Sequence, residues 1–143
     1  MNFLLTGGAG YIGSHAALSL LDAGHSVHII DDLSTGNESL IPKSALFTKC
    51  NINNEEVISK LIQLNNFDVL MHFAGFIQVE ESVKYPQKYF DNNTENATKL
   101  FETCKRNGLN KIVFSSTAAA YGSVSDNMLI DEDTNLNPQN PYA

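Results

Sequence analysis

The sequence predicts an α/β fold, a parallel sheet wound on both faces, and three observations carry that expectation. Short apolar runs alternate along the chain with amphipathic stretches of helical period. A cluster of glycines stands between the first run and the first helical stretch. The links are short, and strands and helices joined this way give parallel strands connected by right-handed crossovers. About five strands are expected, in the order 3-2-1-4-5, with helices on both faces.

The first run, Phe3 to Leu5, reaches Thr6 and turns on Gly7, Gly8, Gly10 and Gly13. Ile12, Ala16, Leu20 and Leu21 recur at helical steps, so a first helix is expected from Tyr11 to Ala23, stopping at Gly24. Strand, glycine turn and helix in this order form a phosphate cradle. Gly7 allows the sharp turn, Gly10 lets backbone meet a pyrophosphate with no Cβ between, and Gly13 lets helix and strand lie close. The free N–H groups of the first helical turn, at Tyr11, Ile12 and Gly13, face the phosphates with the positive end of the helix dipole. The second run, Ser26 to Ile30, ends in Asp31, about twenty residues beyond the glycines. A carboxylate there accepts from a ribose 2′-hydroxyl and repels a 2′-phosphate, which makes NAD the expected cofactor in place of NADP. Asp32 can share that role. These residues together predict a dinucleotide-binding unit of the Rossmann kind, incomplete at about five strands.

A polar loop, Ser34 to Ser39, precedes a short third strand, Ala45 to Cys50. Asn53 or Asn54 can cap a second helix, in which Val57, Ile58, Leu61, Ile62 and Leu64 are expected to form one buried stripe. Phe67 to Phe73 is nearly all apolar and reads as a fourth, central strand. Ala74-Gly75 and a loop or short helix follow. A longer helix is expected from Pro86 to Asn107-Gly108, since proline is tolerated in a first helical turn. Lys111 to Ser115 is the fifth strand. Ser115, Ser116 and Thr117 then stand at its carboxyl end, where ligands bind in open α/β sheets. Beyond them Ser123 to Asn140 is polar and loop-like, and the chain closes with Asn140-Pro-Tyr-Ala143.

The length of 143 residues suits one domain with a real core. A net charge of −7 argues against nucleic acid and against anionic membrane as partners. No apolar run approaches the ~20 residues of a membrane span. The first strand starts almost at Met1, leaving no room for a signal peptide, so a cytoplasmic location with free thiols at Cys50 and Cys104 is expected. Neither these cysteines nor His15, His25, His28 and His72 have metal-ligand spacing, and no metal site is expected.

With these residues in view, the whole chain resembles the amino-terminal portion of the UDP-glucose 4-epimerases, which are extended short-chain dehydrogenase/reductases. The likeness is carried by Thr6-Gly-Gly-Ala-Gly-Tyr-Ile-Gly-Ser-His15, His72-Phe-Ala-Gly75, Glu81-Ser-Val83 with Pro86, Tyr89 to Asn93, and Phe114-Ser-Ser-Thr117. It implies a UDP-hexose substrate and reversible interconversion of UDP-glucose and UDP-galactose. In that reaction a tyrosine removes the 4-hydroxyl proton while C4 gives hydride to NAD. The 4-keto sugar then turns over and takes the hydride back on its other face. By position Tyr142 matches that tyrosine, and Thr117 matches the hydroxyl that bridges substrate and tyrosine. Phe73, Ala74 and Gly75 match the segment beside the adenosine and phosphates. Asn92 matches an asparagine near cofactor and substrate, and Ser115 and Ser116 line the nicotinamide side. Asn51 and Ile52 stand where the family has Asp-Ile against the adenine, and the Asn51 carbonyl can still accept from the adenine amine.

The family tyrosine opens a Tyr-x-x-x-Lys pattern, whose lysine would fall three positions past Ala143. The expectation is therefore a truncated NAD-binding domain over residues 1–143, without the carboxyl-terminal substrate domain and without useful turnover by itself. The competing readings are an NAD-binding remnant that never turns over and a related sugar-nucleotide epimerase or dehydratase. Dehydratases generally carry an acidic pair after the threonine, where this chain has Ala118-Ala119. Self-association is expected through an uncovered sheet face and the long helix, with Leu100, Phe101 and Cys104 contributing.

Overall fold

In the computed structural model, which describes residues 1–123 and 129–143, five parallel strands form one sheet in the order β3-β2-β1-β4-β5. They are β1 (Asn2–Thr6), β2 (Ser26–Asp31), β3 (Leu46–Lys49), β4 (Val69–His72) and β5 (Ile112–Phe114). The order is the one the alternation of elements predicts. The polar stretch expected from Ser123 to Asn140 falls partly outside the described residues. Thr6, at the end of central β1, is in register with Ile30 of β2 and His72 of β4, so the carboxyl ends of three strands share one line. Ser115 N–H donates to the His72 carbonyl at 3.1 Å and carries the β4–β5 pairing past the strand end.

Side chains alternate across β1 and split the core in two. Phe3 and Leu5 join Val27, Ile29 and Val69 under α1 (Tyr11–Asp22), whose Ala17 is fully buried there. Leu4 joins Ile30 and Leu70 on the other face, beneath α2 (Glu55–Leu64) and α5 (Ala97–Arg106). Asn54 is the cap of α2, its side-chain oxygen accepting from Val57 N–H at 3.2 Å.

Three expectations need correction. Leu64 is 72 % exposed, because it lies about 200° round the helix from Ile62 at 3.6 residues per turn. Ile12 is 62 % exposed as well; it lies in the first turn of α1 at the carboxyl edge of the sheet, and Ala17, five residues on and about 140° round the helix, takes the buried place. Leu100 and Cys104 are fully buried against their own sheet, so they cannot line an association surface.

The helix expected from Pro86 onward is helical throughout but not uniform. After α3 (Val79–Lys84), α4 (Pro86–Tyr89) leads into a π-helical stretch, Phe90–Asn96, before α5 begins. Buried Tyr89 and Ala97 anchor its two sides. On the α1 side, the β4–β5 end of the sheet has no helix over it among the described residues, and Val113 is 49 % exposed. None of the described helices is long and apolar enough to cross a membrane.

Candidate active site

A cleft of about 1260 Å³ opens at the carboxyl ends of the strands. Its walls gather the residues singled out in the sequence from seven separate segments. The glycine turn brings Gly7, Gly10, Tyr11, Ile12 and Gly13, and the end of β2 brings Asp31 and Asp32. Asn51 and Ile52 follow β3, while Phe73, Ala74 and Gly75 follow β4. Asn92 comes from the π-helical stretch, and Ser115, Ser116, Thr117 and Tyr142 complete the far side.

Gly7 leaves β1 with φ 72°, a left-handed conformation, and a Cβ there would stand 2.5 Å from Ala74 N. Its N–H donates to the Ile30 carbonyl at 2.9 Å, and its own carbonyl accepts from Gly10 N–H at 3.1 Å. A Cβ on Gly13 would fall on that same carbonyl oxygen, so α1 approaches β1 as closely as it does only with glycine at both places. Gly10 caps α1 with no side chain, which leaves the first-turn N–H groups open to the cleft.

Asp31 is nearly buried, and both its oxygens are held by backbone. Oδ2 accepts from Ala9 N–H at 3.0 Å, and Oδ1 accepts from Leu33 N–H at 2.9 Å. Leu33 itself sits at φ 60°, an unusual conformation for leucine, in a loop that lines the nucleotide end of the cleft. Burial works against the Asp32 carboxylate, but hydrogen bonds from Ser34 and Asn51 outweigh it and hold its pKa below the usual range. Asn51 donates to Asp32 at 2.7 Å and accepts from Asn53 N–H at 3.0 Å, so one lone pair of its carbonyl is already engaged. An uncapped helix start, a glycine cradle and a fixed buried acid at the strand end are the features a dinucleotide requires, and the site fits one.

At the other end, the Thr117 side chain accepts from Ala119 N–H at 3.1 Å, capping its own turn. Among the described residues no acceptor takes its hydroxyl proton, which can be donated into the cleft. Tyr142 is half-buried and lines the same cleft.

Comparison with known proteins meets this geometry. A profile described as the NAD dependent epimerase/dehydratase family matches residues 3–143. The chain belongs to that family. A UDP-glucose 4-epimerase of Azospirillum brasilense is 45% identical over 140 residues, covering 98% of this chain and 40% of that protein. UDP-arabinose 4-epimerase 1 of Arabidopsis thaliana is 40% identical over 149 residues, covering 98% of this chain and 35% of its own length. Among solved structures, a Thermus thermophilus UDP-glucose 4-epimerase in complex with NAD superposes with a TM-score of 0.94 at 34% identity. That match covers 99% of this chain and 46% of the other. The chain thus spans less than half the length of the relatives it matches.

Within this epimerase/dehydratase domain, several cleft residues that the sequence marked only as parts of the family motifs have contacts it did not assign. Tyr89, 1 % exposed, donates to Glu81 Oε2 at 2.8 Å and accepts from Gln78 N–H at 3.1 Å. Burial, and then the bond to Glu81, push its phenol above the ordinary range. Glu81 is held low by hydrogen bonds from Lys88, at 2.7 Å, and from Tyr89. Asn93 binds both backbone groups of Phe76. No periodicity marks such residues, because their partners lie across the Pro86 break and their register is shifted by the π-helical stretch.

Behind the glycine turn, His72 is 1 % exposed and shares a 2.6 Å hydrogen bond from Nδ1 with Thr6 Oγ1. Phe114 stacks on its ring and Phe101 meets it edge-on. Burial pushes its pKa down to about 4 from 6.5. The unfolded chain therefore takes up a proton below pH 6.5 that the folded one refuses until about pH 4. Stability falls as pH falls through that window, by about 3 kcal/mol in all at ~1.4 kcal/mol per unit. Urea unfolding at pH 7.5 and 5 is expected to show about 2 kcal/mol of this loss. His72→Asn, unfolded in parallel, should show a correspondingly shallower pH slope. Equal slopes in the two proteins would remove His72 as the cause.

Proposed function

We propose that this chain is the NAD-binding portion of a UDP-hexose 4-epimerase that interconverts UDP-glucose and UDP-galactose. The observation that carries the reading is the single cleft in which the glycine turn, Asp31, Thr117 and Tyr142 meet. The names of the relatives support it. In this reading Tyr11, Ile12 and Gly13 offer backbone N–H groups to the pyrophosphate, Gly7 and Gly10 keep the turn beneath it clear of Cβ atoms, and Asp31 with Asp32 holds the adenine ribose. Asn51 and Ile52 border the adenine, and Phe73, Ala74 and Gly75 run beside the adenosine and phosphates. Asn92, Ser115 and Ser116 face the nicotinamide half. Bound NAD supplies a hydride acceptor and donor. Tyr142 takes the proton of the sugar 4-hydroxyl and later returns it, and the free proton of Thr117 bridges the two oxygens.

Calorimetry with the two nucleotides tests the cofactor half of this proposal. NAD is expected to bind at least about tenfold more tightly than NADP, since a 2′-phosphate would meet the Asp31 carboxylate. Asp31→Asn should narrow that ratio, and it should lower stability by about 1–3 kcal/mol by leaving a backbone N–H of Ala9 or Leu33 without its acceptor. Tighter binding of NADP would overturn the assignment.

The uncovered β4–β5 end of the sheet, with Ile112, Val113 and Phe114 all exposed, supports a second part of the reading, that copies of the chain associate through it. Light scattering should give a mass above 15.7 kDa that rises with concentration. A steady monomer over a wide concentration range would count against it.

A further inference from the structure

We propose that Asn93 is a positioning residue that fixes the sense of the neighbouring Asn92 amide, so that position 92 offers the bound nucleotide a hydrogen-bond acceptor. One backbone residue, Phe76, sets the arrangement. Phe76 N–H donates to Asn93 Oδ1 at 2.9 Å, and Asn93 Nδ2 donates to the Phe76 carbonyl at 2.8 Å. A backbone N–H can only donate and a backbone carbonyl can only accept, so the orientation of the Asn93 amide is settled by the main chain. Its Oδ1 then presents a second lone pair to Asn92, which must answer with Nδ2, at 2.9 Å. The opposite orientation would set two carbonyl oxygens against each other.

Asn92 lines the cleft, and no donor among the described residues reaches its Oδ1. That oxygen is the group left for a ligand. It suits an O–H or N–H donor, such as a ribose hydroxyl or a carboxamide N–H, and it opposes a phosphate oxygen. The π-helical stretch makes the pair possible, because its wider turn brings successive side chains closer to one face than an α-helix does. The same clamp holds the loop after β4, where a Cβ on Gly75 would already touch Asn93 Oδ1 at 3.4 Å.

The inference rests on the reading of the cleft as an NAD site, and the test separates the two. In the nucleotide-free chain, NMR should find the Phe76 amide and one Asn92 side-chain N–H slow to exchange. Both should exchange at least tenfold faster in Asn93→Ala, with an unchanged far-UV spectrum. Fast exchange in the unaltered chain overturns the clamp, whether or not NAD binds. With NAD added to the unaltered chain, the Asn92 Cγ resonance should shift while its Nδ2 protons keep their bond to Asn93. Movement of the Nδ2 protons in place of the carbonyl overturns the acceptor assignment, and this measurement needs no variant to fold. By calorimetry, Asn92→Ala and Asn93→Ala should each weaken NAD about tenfold, and the double variant should be no weaker than either single one. Additive losses would mean that Asn93 does not act through Asn92. Absence of NAD binding in the unaltered chain would overturn the site reading and the acceptor role with it, while the exchange data still decide the clamp.

Discussion

A purified polypeptide of these 143 residues, supplied with NAD and UDP-galactose, is expected to form UDP-glucose at less than about 10⁻⁴ of an ordinary enzyme rate of ~10 s⁻¹. A phenol is a weak base near neutral pH and needs a neighbouring cation to favour its ionised form. In the Tyr-x-x-x-Lys pattern a lysine one helical turn on supplies that charge, and the position four residues after Tyr142 lies beyond Ala143. Two lysines line the cleft, Lys84 and Lys88, and Lys88 is committed to Glu81 at 2.7 Å; neither holds the place of the patterned lysine one turn after the tyrosine. Tyr142 also stands next to a chain end of this polypeptide, where ordering is costly. Acid–base assistance and positioning are each worth roughly a hundredfold or more, and both are impaired at once. A coupled assay with Tyr142→Phe as the contamination control decides the matter. Full enzyme-like turnover that disappears in Tyr142→Phe would show that residues 1–143 suffice.

Gly13→Ala is expected to lower stability by about 3 kcal/mol or more and to abolish measurable NAD binding. The new Cβ would fall on the Gly7 carbonyl and lie 2.9 Å from Gly8 Cα. Every atom it meets is backbone, so no rotamer change relieves the overlap and α1 must move away from β1. The Gly7 carbonyl also receives Gly10 N–H, which means that the displacement reaches the phosphate cradle. Gly24→Ala is the internal comparison. Gly24 has φ 80° but nothing within 4 Å of a Cβ, so its cost should be the backbone strain alone, about 1–2 kcal/mol. Urea unfolding of both variants gives the answer. Equal losses would mean that packing at the glycine turn is not what Gly13 provides.

The parts of this molecule legible from sequence were those written in local chemistry. Strand β1, the glycines and α1 could be read because turn, helix start and apolar run each leave a residue signature within a few positions. The order of the sheet followed from alternation and handedness, which need no knowledge of contacts. What escaped was set by partners distant in sequence or by helix phase. Leu64 and Ile12 are apolar residues off the buried side, and Leu100 and Cys104 are core residues that looked available for a partner. The clamp of Asn93 on Phe76 depends on a π-helical register that hydrophobic periodicity does not encode. Thr117 illustrates a third case, in which a turn-capping role and a cleft-facing role belong to the same hydroxyl. The backbone grip of Ala9 and Leu33 on Asp31 was invisible because main-chain donors carry no residue identity.

The place of β1 in the sheet has a consequence for how the chain is made. It is the earliest strand in the sequence, yet it lies in the middle, with hydrogen-bonding edges facing both β2 and β4. Its first neighbour follows after one helix. Its second must wait while Asp32 to Asp68 are translated, roughly two to eight seconds at ribosomal speed. For that interval a ribbon with Phe3, Leu4 and Leu5 along it carries one edge unpaired, and the nascent chain is open to mispairing with another copy. Closing a parallel sheet from its centre outward is a high-contact-order route, intrinsically slow. The exposure of that edge therefore lasts while Asp32 to Asp68 are made and eases once Val69–His72 has docked.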